Sequence, residues 1–272
     1  MSLSTWEKIH QAVADRIEEQ DKAFELAFLR FGGARAWLVE RINSSPDWSV
    51  LEIGYGQGYL SVELSSSLTR GKVIGVDLLN EDSTAGAARW IAKRTGVWDR
   101  IALASSDSMR LPFRDGTFDA LVSFLALQDI KNTRGDEGLL ATLDEACRTV
   151  KHGGVIGFAD DSFPSSRPNG DQGKVFDAIK CYWHNLLPPV EGLIERLKAN
   201  GISDAKAFLY DPAERLLPND AERELRLSTG WVQQIGVMVD FVNFWSEVGE
   251  SIRKYGRAYS KVVLLLGTKT EQ

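Results

Sequence analysis

The chain has 272 residues, 43% of them hydrophobic and 26% charged, with a formal net charge of −6. That length can bury a sizeable core in one larger domain, and the acidic balance gives no electrostatic footprint for a phosphate backbone, so nucleic acid is not an expected partner. No apolar run of about 18 residues and no charged-then-apolar leader occurs, so the sequence predicts neither a membrane span nor secretion, and cytoplasm is the expected location.

From Thr5 to Phe31, Trp6, Ile9, Val13, Ile17, Phe24, Phe28 and Phe31 recur at helical spacing between charges, predicting an amphipathic helix or a pair of them. Gly32-Gly33 is expected to stop it, closing an N-terminal cap over 5–33. Ala34 to Ile42 reads as a short helix and Ser44-Ser45-Pro46-Asp47 as a turn.

Val50-Leu51-Glu52-Ile53-Gly54-Tyr55-Gly56-Gln57-Gly58 follows, a buried-strand pattern breaking into alternating glycines. Glycine tolerates positive φ and lets backbone amides touch a ligand, so this spacing marks a place where a cofactor meets the main chain. A dinucleotide fingerprint needs its third glycine at the sixth position of the loop, where Tyr59 stands, and Glu52 brings a negative charge to the strand end. Both features argue against a pyrophosphate ligand.

Tyr59 to Leu68 is expected to be the helix that packs back on this strand. Gly71 to Asp77 is a second strand, ending in a carboxylate about 20 residues after the glycine loop, where a Rossmann-like unit places its ribose acceptor. Asp82 to Thr95 reads as a helix, and Gly96-Val97-Trp98 leads into a third strand. Ile101 to Ile130 then runs through Asp107-Ser108-Met109, Leu111-Pro112-Phe113, and Phe118-Asp119 opening a fourth strand.

The Glu-x-Gly-x-Gly-x-Gly loop, Asp77 and this third run together resemble the class I S-adenosylmethionine-dependent methyltransferases, in particular a group acting on small molecules. The resemblance covers roughly Val50 to Phe158. It implies that Glu52 and the loop Gly54, Tyr55, Gly56 and Gly58 hold the methionine end of S-adenosylmethionine. Asp77, followed by Leu78, would take the ribose, and Asp107, Ser108 and Met109 would lie near adenine. Phe124 and Gln128 would sit where cofactor and substrate meet. Gln128-Asp129 replaces the His-His or His-aromatic pair common in the family at that point, so no catalytic base is carried over. The N-terminal cap either covers one sheet face or, as family members often have it, forms a lid over the substrate.

Glu137 to Val150 is predicted helical, Lys151-His152-Gly153-Gly154 a turn with His152 where the family usually has proline, and Val155 to Ala159 a strand. Asp160 and Asp161 lie just past it, at the edge where chemistry is expected. Ser162 to Asp171 reads as a loop and Gln172 to Leu187 as a helix carrying Cys181 and His184 on one face. No further pair accompanies those two, so no metal is expected. Cys147 and Cys181 read as ordinary thiols. Glu191 to Asn200 is the last core helix, and Ala205 to Tyr210 with Lys261 to Thr268 predicts a closing antiparallel hairpin. Between them, residues 211–259 are far longer than a hairpin loop needs and read as helical, with Trp231, Ile235, Phe241, Phe244 and Trp245 serving as core, dimer or acceptor-pocket contacts.

Strands alternating with helices predict an α/β, Rossmann-like, seven-stranded, mostly parallel sheet with helices on both faces and a C-terminal antiparallel hairpin. One domain is expected, with the N-terminal cap over 5–33, a cofactor core over 48–160, a substrate-side helical insertion over 161–259 and a closing strand over 260–269. The expected function is direct methyl transfer to a small molecule, with Asp160, Asp161, His184 and Tyr182 as candidate bases should the acceptor start protonated. The alternatives are a non-catalytic cofactor-binding protein on the same fold and a nucleotide-dependent oxidoreductase, the latter disfavoured by Tyr59. A homodimer through the insertion is a further expectation.

Overall fold

A computed structural model of the chain describes residues 31–78, 82–234 and 236–270. The expected helix over Thr5 to Phe31 lies outside the described residues except for Phe31. Gly32-Gly33, expected as a stop, instead opens helix α1 (Gly32–Ile42).

Seven strands form one sheet: β1 (Ser49–Ile53), β2 (Lys72–Asp77), β3 (Ile101–Ser105), β4 (Phe118–Phe124), β5 (Val150–Asp160), β6 (Lys206–Tyr210) and, last in the chain, β9 (Val262–Thr268). Their order is β3-β2-β1-β4-β5-β9-β6. β9 runs antiparallel to both β5 and β6, and the pairs among β1 to β5 are parallel. The chain order reverses between β1 and β4, and a crevice opens at such a switch point beyond the carboxyl ends of the strands.

The strands alternate because both faces are covered. Val50, Ala120, Val122 and Leu264 face a cluster with Leu38 and Ile42 of α1, Leu64 of α2 (Tyr59–Ser67) and Ile91 of α3 (Asp82–Arg94). Leu51, Ile53, Leu121 and Leu265 face the opposite cluster, with Leu139 and Leu143 of α4 (Leu127–Thr149) and Leu193 and Leu197 of α6 (Val190–Ala199). A third cluster lies in the insertion, where Val175 and Ile179 of α5 (Asp171–Tyr182) meet Leu225 of α7 (Pro218–Gln234) and Phe244 and Val248 of α8 (Phe241–Tyr255).

Several boundaries differ from expectation. The helix expected from Glu137 begins at Leu127, with a break at Gly135, whose φ of 69° and ψ of −172° are non-helical. Gln128 and Asp129, just past the end of β4, therefore occupy the first turn of a helix. The helix expected to reach Leu187 stops at Tyr182, because His184 takes a left-handed φ of 52°. Cys181 and His184 consequently do not share a helical face, and both are exposed. The Lys151–Gly154 turn is drawn into β5, where the Lys151 ammonium meets the Asp119 carboxylate at 2.6 Å. Residues 211–259 form two helices and a small ladder of β7 (Arg215–Leu216) with β8 (Arg257–Ala258), rather than one helical run. Among the described residues no helix is long and apolar enough to cross a membrane.

Candidate active site

The glycine loop turns directly above the carboxyl end of β1. All three glycines have positive φ: 73° at Gly54, 46° at Gly56 and 78° at Gly58. A Cβ on Gly54 would lie 2.4 Å from that of Ala126, and one on Gly58 would lie 2.6 Å from that of Ala88, so these two glycines serve loop-to-helix packing. At Gly56 a Cβ meets nothing within 4 Å. The main chain is laid bare there, and its N–H donates to the Asp77 carboxylate at 3.0 Å across the gap from β1 to β2. Tyr55 is buried beside it with its hydroxyl unpartnered.

Glu52 sits beneath this loop rather than open to it, 2% exposed, accepting a short hydrogen bond from the Ser61 hydroxyl. Burial, reinforced by Asp77 and Glu63, pushes its carboxyl up to about 8 against the opposing Ser61 hydrogen bond.

Asp107 accepts from the Met109 amide at 3.0 Å and from the Arg134 guanidinium at 2.9 Å, so the carboxylate expected near adenine is braced from α4. The Ser108 hydroxyl is buried against Thr142 at 2.8 Å and faces α4 instead of the crevice. Leu78 is 43% exposed beyond Asp77. The half-buried Phe124 ring packs edge-on to Phe31 and under the Arg35 guanidinium, which is itself paired with Glu63 at 3.1 Å.

Past β4 the backbone does something no sequence pattern announced: Leu125, a non-glycine, adopts φ 56°. Left-handed backbone at such a residue costs about 1–2 kcal/mol and is held only where surroundings over-determine it. Here the Leu125 amide is fixed to the Ala159 carbonyl at 2.8 Å, and the turn delivers Gln128 and Asp129 to the ends of β4 and β5.

Asp160 ends β5 and Asp161 follows it, both buried. Asp160 accepts from the amides of Gln128 at 3.3 Å and Ser162 at 3.0 Å. Burial and its neighbour Asp161 push the Asp160 carboxyl up. Burial opposes the charge on Asp161 as well, yet Lys180, at 3.2 Å, and Arg257 hold it below the usual carboxylate range. Burial, together with the charges of Asp160 and Asp77, pushes Asp129 up to about 7.

The expected candidates thus separate. Asp160 and Asp161 join Asp129, which the sequence did not single out as a base, around Lys180. Tyr182 stands with its ring edge-on to Phe244 at 5.7 Å, as part of the insertion's aromatic wall. His184 lies apart, lining a surface cavity of about 510 Å³ with Lys131, Asp136 and Met238.

Asp129 yields a stability prediction. Its carboxyl titrates near 3.8 when unfolded and near 7 when folded, so the native state holds the extra proton between those values and stability falls as pH rises through that window. Asp129→Asn removes this contribution, and its urea midpoint should gain on the wild type between pH 5 and pH 8. Parallel pH profiles for the two proteins would refute the assignment.

Residues 50–154 match the family model described as "Methyltransferase domain". Among similar curated proteins, the demethylmenaquinone methyltransferase of Corynebacterium glutamicum (strain R) is 28% identical over 228 residues, covering 80% of this chain and 85% of that one. The demethylmenaquinone methyltransferase of Streptomyces avermitilis is 23% identical, covering 85% of this chain and 90% of that one. Among solved structures, the [4+2]-cyclase SpnF superposes with a TM-score of 0.59 at 19% identity over 88% of this chain and 80% of that one. A geranyl diphosphate methyltransferase in complex with SAM gives 0.57 at 17% identity over 96% of this chain and 95% of that one. At these identities the structural likenesses speak for the fold alone.

Proposed function

We propose that this chain is a class I S-adenosylmethionine-dependent methyltransferase acting on a small molecule, a reading supported by the methyltransferase-domain match and the demethylmenaquinone methyltransferases among its relatives. The observation that carries the proposal is Gly56, whose bare, left-handed backbone faces open space while its N–H holds the Asp77 carboxylate. The cradle fits the cofactor: the glycine loop and Tyr55 would take its methionine end, Asp77 the ribose hydroxyls, and Asp107, braced by Arg134, the adenine. Glu52 contributes from beneath the loop. Bound S-adenosylmethionine supplies an electrophilic methyl carbon whose transfer in line to a nucleophile leaves a neutral thioether.

Because charge disappears at the leaving sulfur, the protein need not stabilise a new anion there, and most of its contribution is alignment, which amounts to as much as about 7–11 kcal/mol for well-oriented reactants. The acceptor enters between the strand ends and the insertion, where Asp129 and Asp160 lie. Asp129, held near neutrality, is suited to take a proton from an acceptor that arrives protonated. We read the acceptor as an apolar molecule bearing a polar oxygen, in keeping with the demethylmenaquinone methyltransferases among the relatives and the aromatic side chains of the insertion. We take the chain to be one domain working in the cytoplasm, with exposed Met238 and Val242 of the insertion as the place where a second copy would dock.

Calorimetric titration with S-adenosylmethionine, S-adenosylhomocysteine and NAD in parallel is the test. Binding of the first two without the third is expected, and binding of NAD alone would overturn the reading. Asp77→Ala should weaken S-adenosylmethionine binding by about 1.5–3 kcal/mol, the value of hydrogen bonds to a charged group, while the chain remains folded. Unchanged affinity would remove Asp77 from the ribose. The second reading is cofactor binding without methyl transfer; retained binding with no thioether product from any acceptor would select it.

A further inference from the structure

Behind the crevice, side chains from four separate segments make one directed hydrogen-bond chain. Lys180, 5% exposed, has a donor-only ammonium, which it gives to the Ser162 hydroxyl at 2.7 Å and to Asp161 at 3.2 Å. The Ser162 hydroxyl lies against the Gln128 carbonyl oxygen and, at 3.1 Å, against the Asp161 carboxylate, and its single hydrogen serves one of them at a time. Asn185 donates its Nδ2 to that same oxygen at 3.1 Å.

Asn185 and Ser162 both bear on the Gln128 carbonyl oxygen, and this sets which way the amide faces. Its Nε2, carrying two hydrogens, turns away from the chain and makes no hydrogen bond among the described residues. The second unanswered group lies next to it: Asn185 is 7% exposed, and its Oδ1 is buried with no partner. A buried amide acceptor left unmatched costs about 1–3 kcal/mol, so a group from outside the described residues is expected to meet this pair.

We propose that Gln128 binds an oxygen of the methyl acceptor, donating its amide hydrogens to a carbonyl or hydroxyl, with Ser162 and Lys180 as positioning residues that fix which way the amide faces. The inference rests on the methyltransferase reading and adds the polar group the acceptor must carry. The chain begins at Lys180 on α5, and the insertion thereby sets the selectivity of a residue at the mouth of the sheet. An acceptor without such an oxygen leaves the Gln128 donors and the Ser162 hydrogen bond unrewarded, and a site of this kind rejects such an analogue strongly.

The test uses the full chain saturated with S-adenosylhomocysteine and two near-isosteric probes, 2-acetylnaphthalene, which can only accept a hydrogen bond, and 2-isopropylnaphthalene, which cannot. Wild type should bind the ketone about tenfold more tightly than the hydrocarbon. Gln128→Leu should abolish that preference and Ser162→Ala reduce it, each leaving affinity for S-adenosylhomocysteine within about twofold. Absence of a preference in the wild type, or its survival in Gln128→Leu, overturns the proposal. Loss of S-adenosylhomocysteine binding in Gln128→Leu would also overturn it, by moving Gln128 to the cofactor. Failure of the wild type to bind S-adenosylhomocysteine at all would instead refute the cofactor assignment on which the inference stands.

Discussion

Gly56→Val is expected to lose S-adenosylmethionine binding by at least about a hundredfold while remaining folded, and Gly58→Val is expected not to fold. The two residues have the same type, lie two apart in one loop and both have positive φ, 46° and 78°. What separates them is the space a side chain would enter. At Gly58 the first added carbon already falls 2.6 Å from Ala88 Cβ and 3.0 Å from its Cα, so the helix carrying Ala88 must move. At Gly56 the added atoms enter open crevice, and the fold meets only the backbone strain of a β-branched residue at positive φ, about 1–3 kcal/mol. Circular dichroism with a calorimetric titration decides it. A folded Gly56→Val that binds S-adenosylmethionine as the wild type does would show that the cofactor does not approach this loop.

Lys180→Met should destabilise the chain by about 3–5 kcal/mol, the usual cost of removing one partner from a buried ion pair. Lys180 is the only cation within hydrogen-bonding reach of Asp161 among the described residues, and both are buried, at 5% and 6% exposure. Without it, Arg257 alone offsets the charge of Asp161 beside Asp160, itself already pushed up by burial and by Asp161. The double variant Lys180→Met with Asp161→Asn takes both charges away and should recover most of the loss. The pair's contribution also has a pH signature. The Asp161 carboxyl is held below its unfolded value, so the stability it gives is present at neutral pH and disappears as pH falls through that lowered value. Urea unfolding of the three proteins at pH 7 and pH 4 measures this. A loss below about 1 kcal/mol for Lys180→Met at pH 7 would mean the pair is hydrated and the cluster is not the closed environment described.

The parts of this protein legible in its sequence are those that local physics decides. β1 and β2 are short β-branched runs flanked by glycine, and their alternating contacts with two helical layers follow from residue spacing alone. The glycine loop could be recognised because positive φ and close backbone approach restrict the residue type. Asp107 and Asp77 stood at fixed distances along a repeating strand-helix unit. The chemistry of the acceptor side was not legible for the opposite reason. Gln128 takes its surroundings from Ser162 and Asn185, 34 and 57 positions away in the chain, and Lys180 in turn holds Ser162, so only the folded packing brings them together. Leu125 carried no sign of its left-handed turn, because leucine does not favour one. His184 ended a helix that periodicity would have carried on, and Asp107 gave no hint that Arg134 would reach back to it.

Tyr210 of β6 and Val262 of β9 are paired partners, so residues 211–261 depart from the sheet and return to it at one rung of a ladder. From the sheet's side this whole stretch is a hairpin turn, and lengthening a turn costs closure entropy only logarithmically. A change in its length therefore costs the pairing of β6 with β9 little. The sheet can thus carry a stretch of a different length between these two strands and keep the strand order on which the glycine loop is mounted.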